Sequence, residues 1–495
     1  MCNFGALIGG SVVATIWLDK MSGAPGCQTF FPVIFYVRSR TAKIENMKNN
    51  STTVGLDYEN GRVTTLFRKV FLPTLLGMIF NALITIIDGI FVGRGVGPQG
   101  IAAVNIIAPL FMVTTGIGLM FGIGSSVIAG IALASKDFAR ANRCISAAFA
   151  FSTALIGILV IGGAIFTEKI AYLLGSTQLL MDKATDYLLY LLIGLIPLMW
   201  QSIGMMVIRL DGSPKYAMLC NAIPAILNII LDWWFVFPLG MGVKGAALAT
   251  SIACIVGGIM AISYFRLSNM LRFTYRMTGF ASIIRKEMMI GSSAFITEIA
   301  MSVMMFTGNV VFIRAFGENG VAAYSIACYL FPLIFMINNA VAQSAQPIIS
   351  VNYGAGNNMR VKEALKVSLR VAALCGLTAT LGIGIGARPI VSLFIATDSP
   401  AAMIAIVGLP LYATSAIFFA LNIAFIGYYQ SVGKSVMALI LTLLRGVVFL
   451  VPMFFLLAHL FPQWGIWAAI PASELLTFAI TIMSFRRIRT DIPAS

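Results

Sequence analysis

Four carboxylic acids stand where a carboxylate is costly: Asp88, Asp232, Glu298 and Glu474 each interrupt an apolar run. An Asp at the centre of a membrane helix costs about 2.5 to 3.5 kcal/mol on insertion scales, so such groups usually face a cavity and serve a purpose. Shielding from water disfavours the charged form, so a shielded carboxyl holds its proton more firmly and can exchange it for a cation. Two of the four share a helical face with an amide. Asn81 precedes Asp88 by seven positions and Asn228 precedes Asp232 by four, spacings that stack side chains along one stripe. Asp88 stands about as far past Lys69 as Asp232 stands past Lys215, which gives similar depths and predicts one shared polar pocket. The adjacent Trp233 and Trp234 leave an interfacial position for Asp232 as the alternative. Glu298 follows Lys286 by a shorter stretch, which sets it nearer the midplane, and no base in its own span can pair with it. It is expected on a central cavity. Glu474 has a partner within reach of sequence reasoning, Arg445, and reads as structural. Gln201, Gln343 and Gln346 are further cavity candidates, although polar groups within spans often bind a neighbouring helix instead.

The elements that position these groups follow from composition. The chain has 495 residues, of which 59% are hydrophobic and 10% charged, whereas soluble domains approach a quarter charged. A stretch such as Cys144 to Thr167 carries no charge and is long enough to cross a hydrocarbon core of about 30 Å. Apolar runs bounded by charges, glycines and prolines place about twelve spans, the first six between residues 66 and 266 and the second six between 286 and 485. The expected fold is an all-α polytopic membrane protein.

Sliding the chain against itself until Arg94 meets Arg314 exposes a repeat. In that register Gly97, Gly100, Ala102, Ala103, Ile106, Leu110 and Phe111 meet Gly317, Gly320, Ala322, Ala323, Ile326, Leu330 and Phe331. Each copy holds an even number of spans, so both enter from the same side and are related by a pseudo-two-fold axis along the membrane normal. The expected organisation is a non-core segment 1–62, a first lobe 63–266, a linker 267–285, a second lobe 286–486 and a tail 487–495. Within the first segment, Lys43 to Gly61 reads as polar and disordered, and MKNNSTTVGLDYENG from Met47 resembles an ordinary translational start.

The formal net charge of +15 does not form a nucleic-acid stripe. Arg94, Lys169, Lys183, Lys244, Arg314 and Arg388 fall on one side of the spans, Arg445 within one, and the remaining bases on the other side. The base-rich side is expected to be the cytoplasm, with both termini on it and anionic lipid headgroups as neighbours. Catalytic motifs fail. Gly95, Gly97 and Gly100 spell GxGxxG after a membrane helix, GYYQSVGKS has one residue too many for a phosphate loop, and His459 is the single histidine. The seven cysteines lack metal-like spacing. An intramembrane lipid-modifying enzyme is therefore disfavoured, and no cofactor is expected.

From about Arg62 to Arg487 the chain resembles a bacterial multidrug and toxic compound extrusion (MATE) transporter. The resemblance rests on DGIFVGRGVG with Asp88, on Pro73 fifteen positions earlier, on RLDGSPKYAM after the fourth span, and on NIILD with Asn228 and Asp232. It implies a secondary antiporter of the cytoplasmic (inner) membrane that acts as a monomer and exports organic cations for H⁺ or Na⁺ by alternating access. Asp88, Asp232, Asn228 and Asn81 would take the coupling ion, with Na⁺ at Asp88, Asn228 and Asp232. Glu298 would receive substrate, and Pro73 would bend the first span. A flippase for lipid-linked oligosaccharide is the alternative within transport, but it would favour a basic cavity. The tenth span, Pro400 to Gln430, lacks the aspartate of sodium-coupled members of one branch, so a second-lobe sodium site is not implied.

Overall fold

The computed structural model describes residues 56–490 apart from Gly175, Thr177, Leu179, Asn269, Arg276, Met277 and Ala396. Met47 lies outside these residues. The described chain is helical throughout, with twelve helices long and apolar enough to cross a membrane. In the first half these are α1 (Val63–Gly95), α2 (Pro98–Ala134), α3 (Phe138–Ile165), α4 (Met181–Leu210), α5 (Pro214–Val236) and α6 (Val243–Leu267). In the second they are α7 (Phe280–Gly317), α8 (Asn319–Gly354), α9 (Asn358–Ile385), α10 (Pro400–Ser431), α11 (Ser435–Leu460) and α12 (Gly465–Thr490).

The repeat extends to the local devices that start and stop helices. Gly97 caps the start of α2 at φ 87°, and Gly317 separates α7 from α8 at φ 61°, a region that only glycine enters cheaply. Asp137 caps α3 by accepting from the Arg140 backbone N–H, and Asn357 caps α9 by accepting from that of Arg360. Short surface helices, Thr167–Leu173 and Ala387–Ser392, follow the third and ninth spans. Each of these pairs stands in the register that brings Arg94 onto Arg314. Within the first half α1 packs on α5, α2 on α4, and α4 on α6, while in the second α9 packs on α10, and α10 and α11 on α12.

Two boundaries differ from the apolar-run reading. Helix α7 begins at Phe280, ahead of 286, and α12 continues to Thr490. Both extensions carry bases (Arg285 in one, Arg486 and Arg487 in the other), because a helix satisfies its own backbone and need not stop where hydrocarbon does. The expected disorder up to Gly61 is also corrected for residues 56–61. Asp57 accepts from the backbone N–H groups of Glu59 and Asn60 to form a turn. Tyr58 is buried, donating its hydroxyl to the Arg209 carbonyl. Its own carbonyl accepts from Asn352 Nδ2 at 2.9 Å and from the Arg360 guanidinium, which also binds Asn352 Oδ1 at 2.8 Å. A polar segment is ordered here because buried partners from both halves satisfy it.

The halves meet most closely where glycines let backbones touch. A Cβ on Gly124 of α2 would lie 2.3 Å from the Glu287 carbonyl of α7, and one on Gly291 of α7 would lie 1.9 Å from the Met120 carbonyl of α2. Gly130 of α2 faces Ser350, and Gly354 faces Ile131. These contacts and the Tyr58 clasp occupy the part of the molecule that carries Lys136, Arg285, Lys286 and Arg360.

Candidate functional site

Three polar centres lie within the spans. The first is formed by α1, α4, α5 and α6. Asp88 is half-buried on α1, and Asp232 is fully buried on α5, near enough for their charges to act on one another and on the Tyr187 hydroxyl of α4. Asp88 Oδ1, both carboxyl oxygens of Asp232 and Asn228 Oδ1 are buried without a hydrogen-bond partner. Asn228 donates weakly to Thr250 Oγ1 at 3.4 Å. This is an oxygen-only donor set with two acids and no base, which suits a proton or a small hard cation rather than a soft metal. Among the described residues no group of three His, Cys, Asp or Glu could hold a metal ion. Asp232 is enclosed by neighbouring helices, while the adjacent Trp233 and Trp234 point outward at 54% and 53% exposure. Asn81 is exposed on α1. Helix α1 runs unbroken through Pro73. Tyr187 was not legible as part of this pocket, since a tyrosine in an apolar run carries no signal by itself.

The second centre is a small cavity between the halves, walled by α2, α7, α8 and α10. Glu298 and Gln343 line it, together with Thr297, Asn339 and Gln430. The other lining residues are apolar, among them Leu119, Ile123, Phe335 and Ile423. One acid, several amides and an apolar wall make a surface that can neutralise a cation while packing its hydrocarbon or aromatic body. Gln201 is not brought there. Its amide Nε2 donates to the Cys220 carbonyl at 2.8 Å and to Asn221 Oδ1 at 3.1 Å, so it joins α4 to α5. Gln346 is buried on α8 but outside this lining. Asn339 and Gln430 were missed because single amides in apolar runs do not say which way they face.

The third centre belongs to α10, α11 and α12. Arg445 Nε lies 3.0 Å from Glu474 Oε1, and Asn422 Nδ2 donates to Glu474 Oε2 at 2.8 Å. The guanidinium also lies over the Phe419 ring, 4.3 Å from its centroid. A π-helical turn at Leu444–Val448 presents Arg445, whose carbonyl accepts from Ser473. This centre is neutralised from within and holds no spare carboxylate.

Twelve spans in two repeated halves, with an acid-lined cavity between them, define a multi-pass membrane transporter. The MatE family model matches residues 73–234 and again 293–456, one match in each half, and the chain belongs to this family. Its members are transporters, not enzymes. Among curated relatives, the multidrug export protein MepA of Staphylococcus saprophyticus is 26% identical over 417 residues, covering 83% of this chain and 91% of that protein. MepA of Staphylococcus aureus strain MRSA252 is 26% identical over 437 residues, covering 86% and 95%. Among solved structures, a MATE protein in complex with MaL6 superposes with a TM-score of 0.82 at 24% identity, covering 88% of this chain and 98% of that one. An outward-facing multidrug resistance MATE transporter gives 0.83 at 23%, covering 90% and 100%. At these identities the structures speak to fold.

Proposed function

We propose that this protein is a secondary active antiporter that exports organic cations in exchange for H⁺ or Na⁺ by alternating access. The observation that carries the reading is the first-half pocket, where Asp88 and Asp232 are enclosed together with unpartnered oxygens and no base. An ion must compensate such a pair when it is charged, and losing that ion changes the cost of enclosing it. That dependence couples the ion to the relative position of the halves. Glu298 on the central cavity is the counter-charge for a cationic substrate, and the apolar wall tolerates varied shapes. The name of the MepA relatives, multidrug export protein, fits this assignment.

The base-rich end is assigned to the cytoplasm of a bacterial inner membrane, with the protein acting as a monomer. Since the close contacts between the halves lie at that end, the conformation is assigned as closed to the cytoplasm. No base lines the cavity, which argues against a flippase for anionic lipid-linked sugars. The test is efflux of a cationic dye from proteoliposomes under imposed pH or Na⁺ gradients. Asp88→Asn should abolish gradient-driven efflux, and Glu298→Gln should weaken substrate dependence. Undiminished gradient-driven efflux by the Asp88 variant would overturn the coupling assignment.

A further inference from the structure

Glu287 is a further acid within the spans and belongs to none of the three centres. Its side chain is 0% exposed, and both carboxyl oxygens lack a hydrogen-bond partner. It sits where α2 of the first half presses on α7 of the second, with the Gly124 Cα against its backbone. Around this contact Ile123, Val127 and Ile128 of α2, Cys144 of α3 and Met206 of α4 pack with Ile290 of α7 into one apolar cluster. Glu298, on the central cavity, is eleven positions further along α7, which is three turns, the same face and about 16 Å away. Glu287 therefore lies beneath the cavity, in the seal between the halves.

The charged and titratable groups near this seal are few. Helix α3 brings the Cys144 thiol, with Arg140, Arg143 and Asp137 further along it. Helix α4 brings Arg209, whose guanidinium lies on Met206 Sδ. Helix α7 itself carries the exposed Arg285 and Lys286, and the α2 face of Gly124, Val127 and Ile128 carries no charge. None of these groups bonds the Glu287 oxygens. A carboxylate without water or a counter-charge is too costly to enclose, and the group neutralises instead.

We propose that Glu287 is a proton-binding gate carboxyl at the contact between the halves. While α2 and α7 touch, it is the neutral acid. When they part it releases its proton to water, and the carboxylate left behind keeps that face open until a proton returns. Because proton loss and return occur at the same face, the group gates the cycle without adding to the ions exchanged. The inference rests on the rocking of the halves proposed above.

Cys144, 1% exposed beside Glu287, reports the opening of this seal. The full chain, with its other cysteines replaced, would be placed in lipid nanodiscs without substrate or gradient and reacted with a maleimide. Dividing each rate by that of the detergent-denatured protein at the same pH removes the titration of the thiol. We expect the normalised rate to rise about tenfold between about pH 6 and about pH 8.5 in the protein with Glu287. It should be flat and slow in Glu287→Gln and in Glu287→Met, either of which suffices if the other fails to fold, and pH-dependent again in Glu287→Asp. A neutral variant that follows the parent profile, or a parent profile that is flat, overturns the proposal. Neither outcome touches the substrate or coupling assignments, which are read by dye efflux.

Discussion

Arg445 and Glu474 form a buried ion pair at 3.0 Å, at the position in the second half that corresponds to an acid-only pocket in the first. The register of the repeat places Glu474 opposite Cys254, which neighbours Tyr187 as Asp88 and Asp232 do. One half thus carries its counter-charge in the chain, and the other must obtain it from solution. Breaking a buried pair by removing one partner costs about 3 to 5 kcal/mol, whereas replacing both by apolar residues is often neutral. Arg445→Met and Glu474→Leu should each lower the unfolding midpoint in detergent, and the double variant should recover most of the loss. A double variant no better than either single one would contradict this.

The first-half pocket should behave in the opposite way. Asp232→Asn removes an acid that has no partner, so its unfolding midpoint should equal or exceed that of the parent while gradient-driven dye efflux is lost. A fall in stability comparable to the Arg445 singles would mean that Asp232 has a structural partner.

Asp211 gives a pH dependence outside the spans. Burial pushes its carboxyl above the ordinary value, and hydrogen bonds from Tyr264 at 2.6 Å and Ser268 at 2.7 Å only partly offset this. The folded state therefore keeps this proton after the unfolded chain has lost it. Stability from this group is full below the ordinary carboxylate value of about 3.9 and falls as pH rises toward the raised folded value. Asp211→Asn, which retains an acceptor, should flatten that decline in a series of melting curves. Asp211→Ala should instead cost about 1 to 3 kcal/mol, because the Ser268 hydroxyl loses its acceptor and Tyr264 is left with Ser213 alone.

Gly291→Ala tests the seal by steric means. Its Cβ would fall 1.9 Å from the Met120 carbonyl, a backbone atom that cannot swing aside. The α2 and α7 backbones must separate, so Cys144 labelling should become fast at every pH. Slow labelling in this variant would show that the crossing can absorb a methyl group.

Arg360→Met should loosen the turn at residues 56–61. The guanidinium binds the carbonyls of Tyr58 and Gly61 and the Asn352 side chain, and a hydrogen bond involving a charged group contributes about 1.5 to 3 kcal/mol. Tryptic cleavage after Arg62 should accelerate in the variant with the rest of the chain intact. Unchanged cleavage would show that Asn352 and Arg209 hold the turn alone.

The contrast between legible and illegible parts is physical. Asp88, Asp232 and Glu298 announce themselves because each breaks a long apolar run, and Glu474 could be matched to Arg445 because a base within a span needs an acid. Glu287 gave no such signal. It follows Arg285 and Lys286 directly, so the sequence there looks like a solvated helix start, and burial comes from packing against helices of the other half, Gly124 of α2 among them. Gln201 failed as a cavity residue for the converse reason, since its acceptors belong to α5 and only the packing of α4 on α5 reveals them. The twelve spans and the repeat were readable because hydropathy and local caps are written in neighbouring residues. Which polar group faces which neighbour is decided between helices.

The Tyr58 clasp also sets an order of events during synthesis. Tyr58 is made before the twelve described spans, yet its partners Arg209 and Arg360 follow 151 and 302 residues later. At roughly 5 to 20 residues per second, Arg360 leaves the ribosome about 15 to 60 s after Tyr58. By the end of that interval eight spans have been made while the clasp has only part of its anchors, so Tyr58 cannot yet tie the two halves together. A chain stalled after α6 could satisfy the Tyr58 hydroxyl but not its carbonyl. The start of the ninth span is thus the step at which the clasp can first join the two halves.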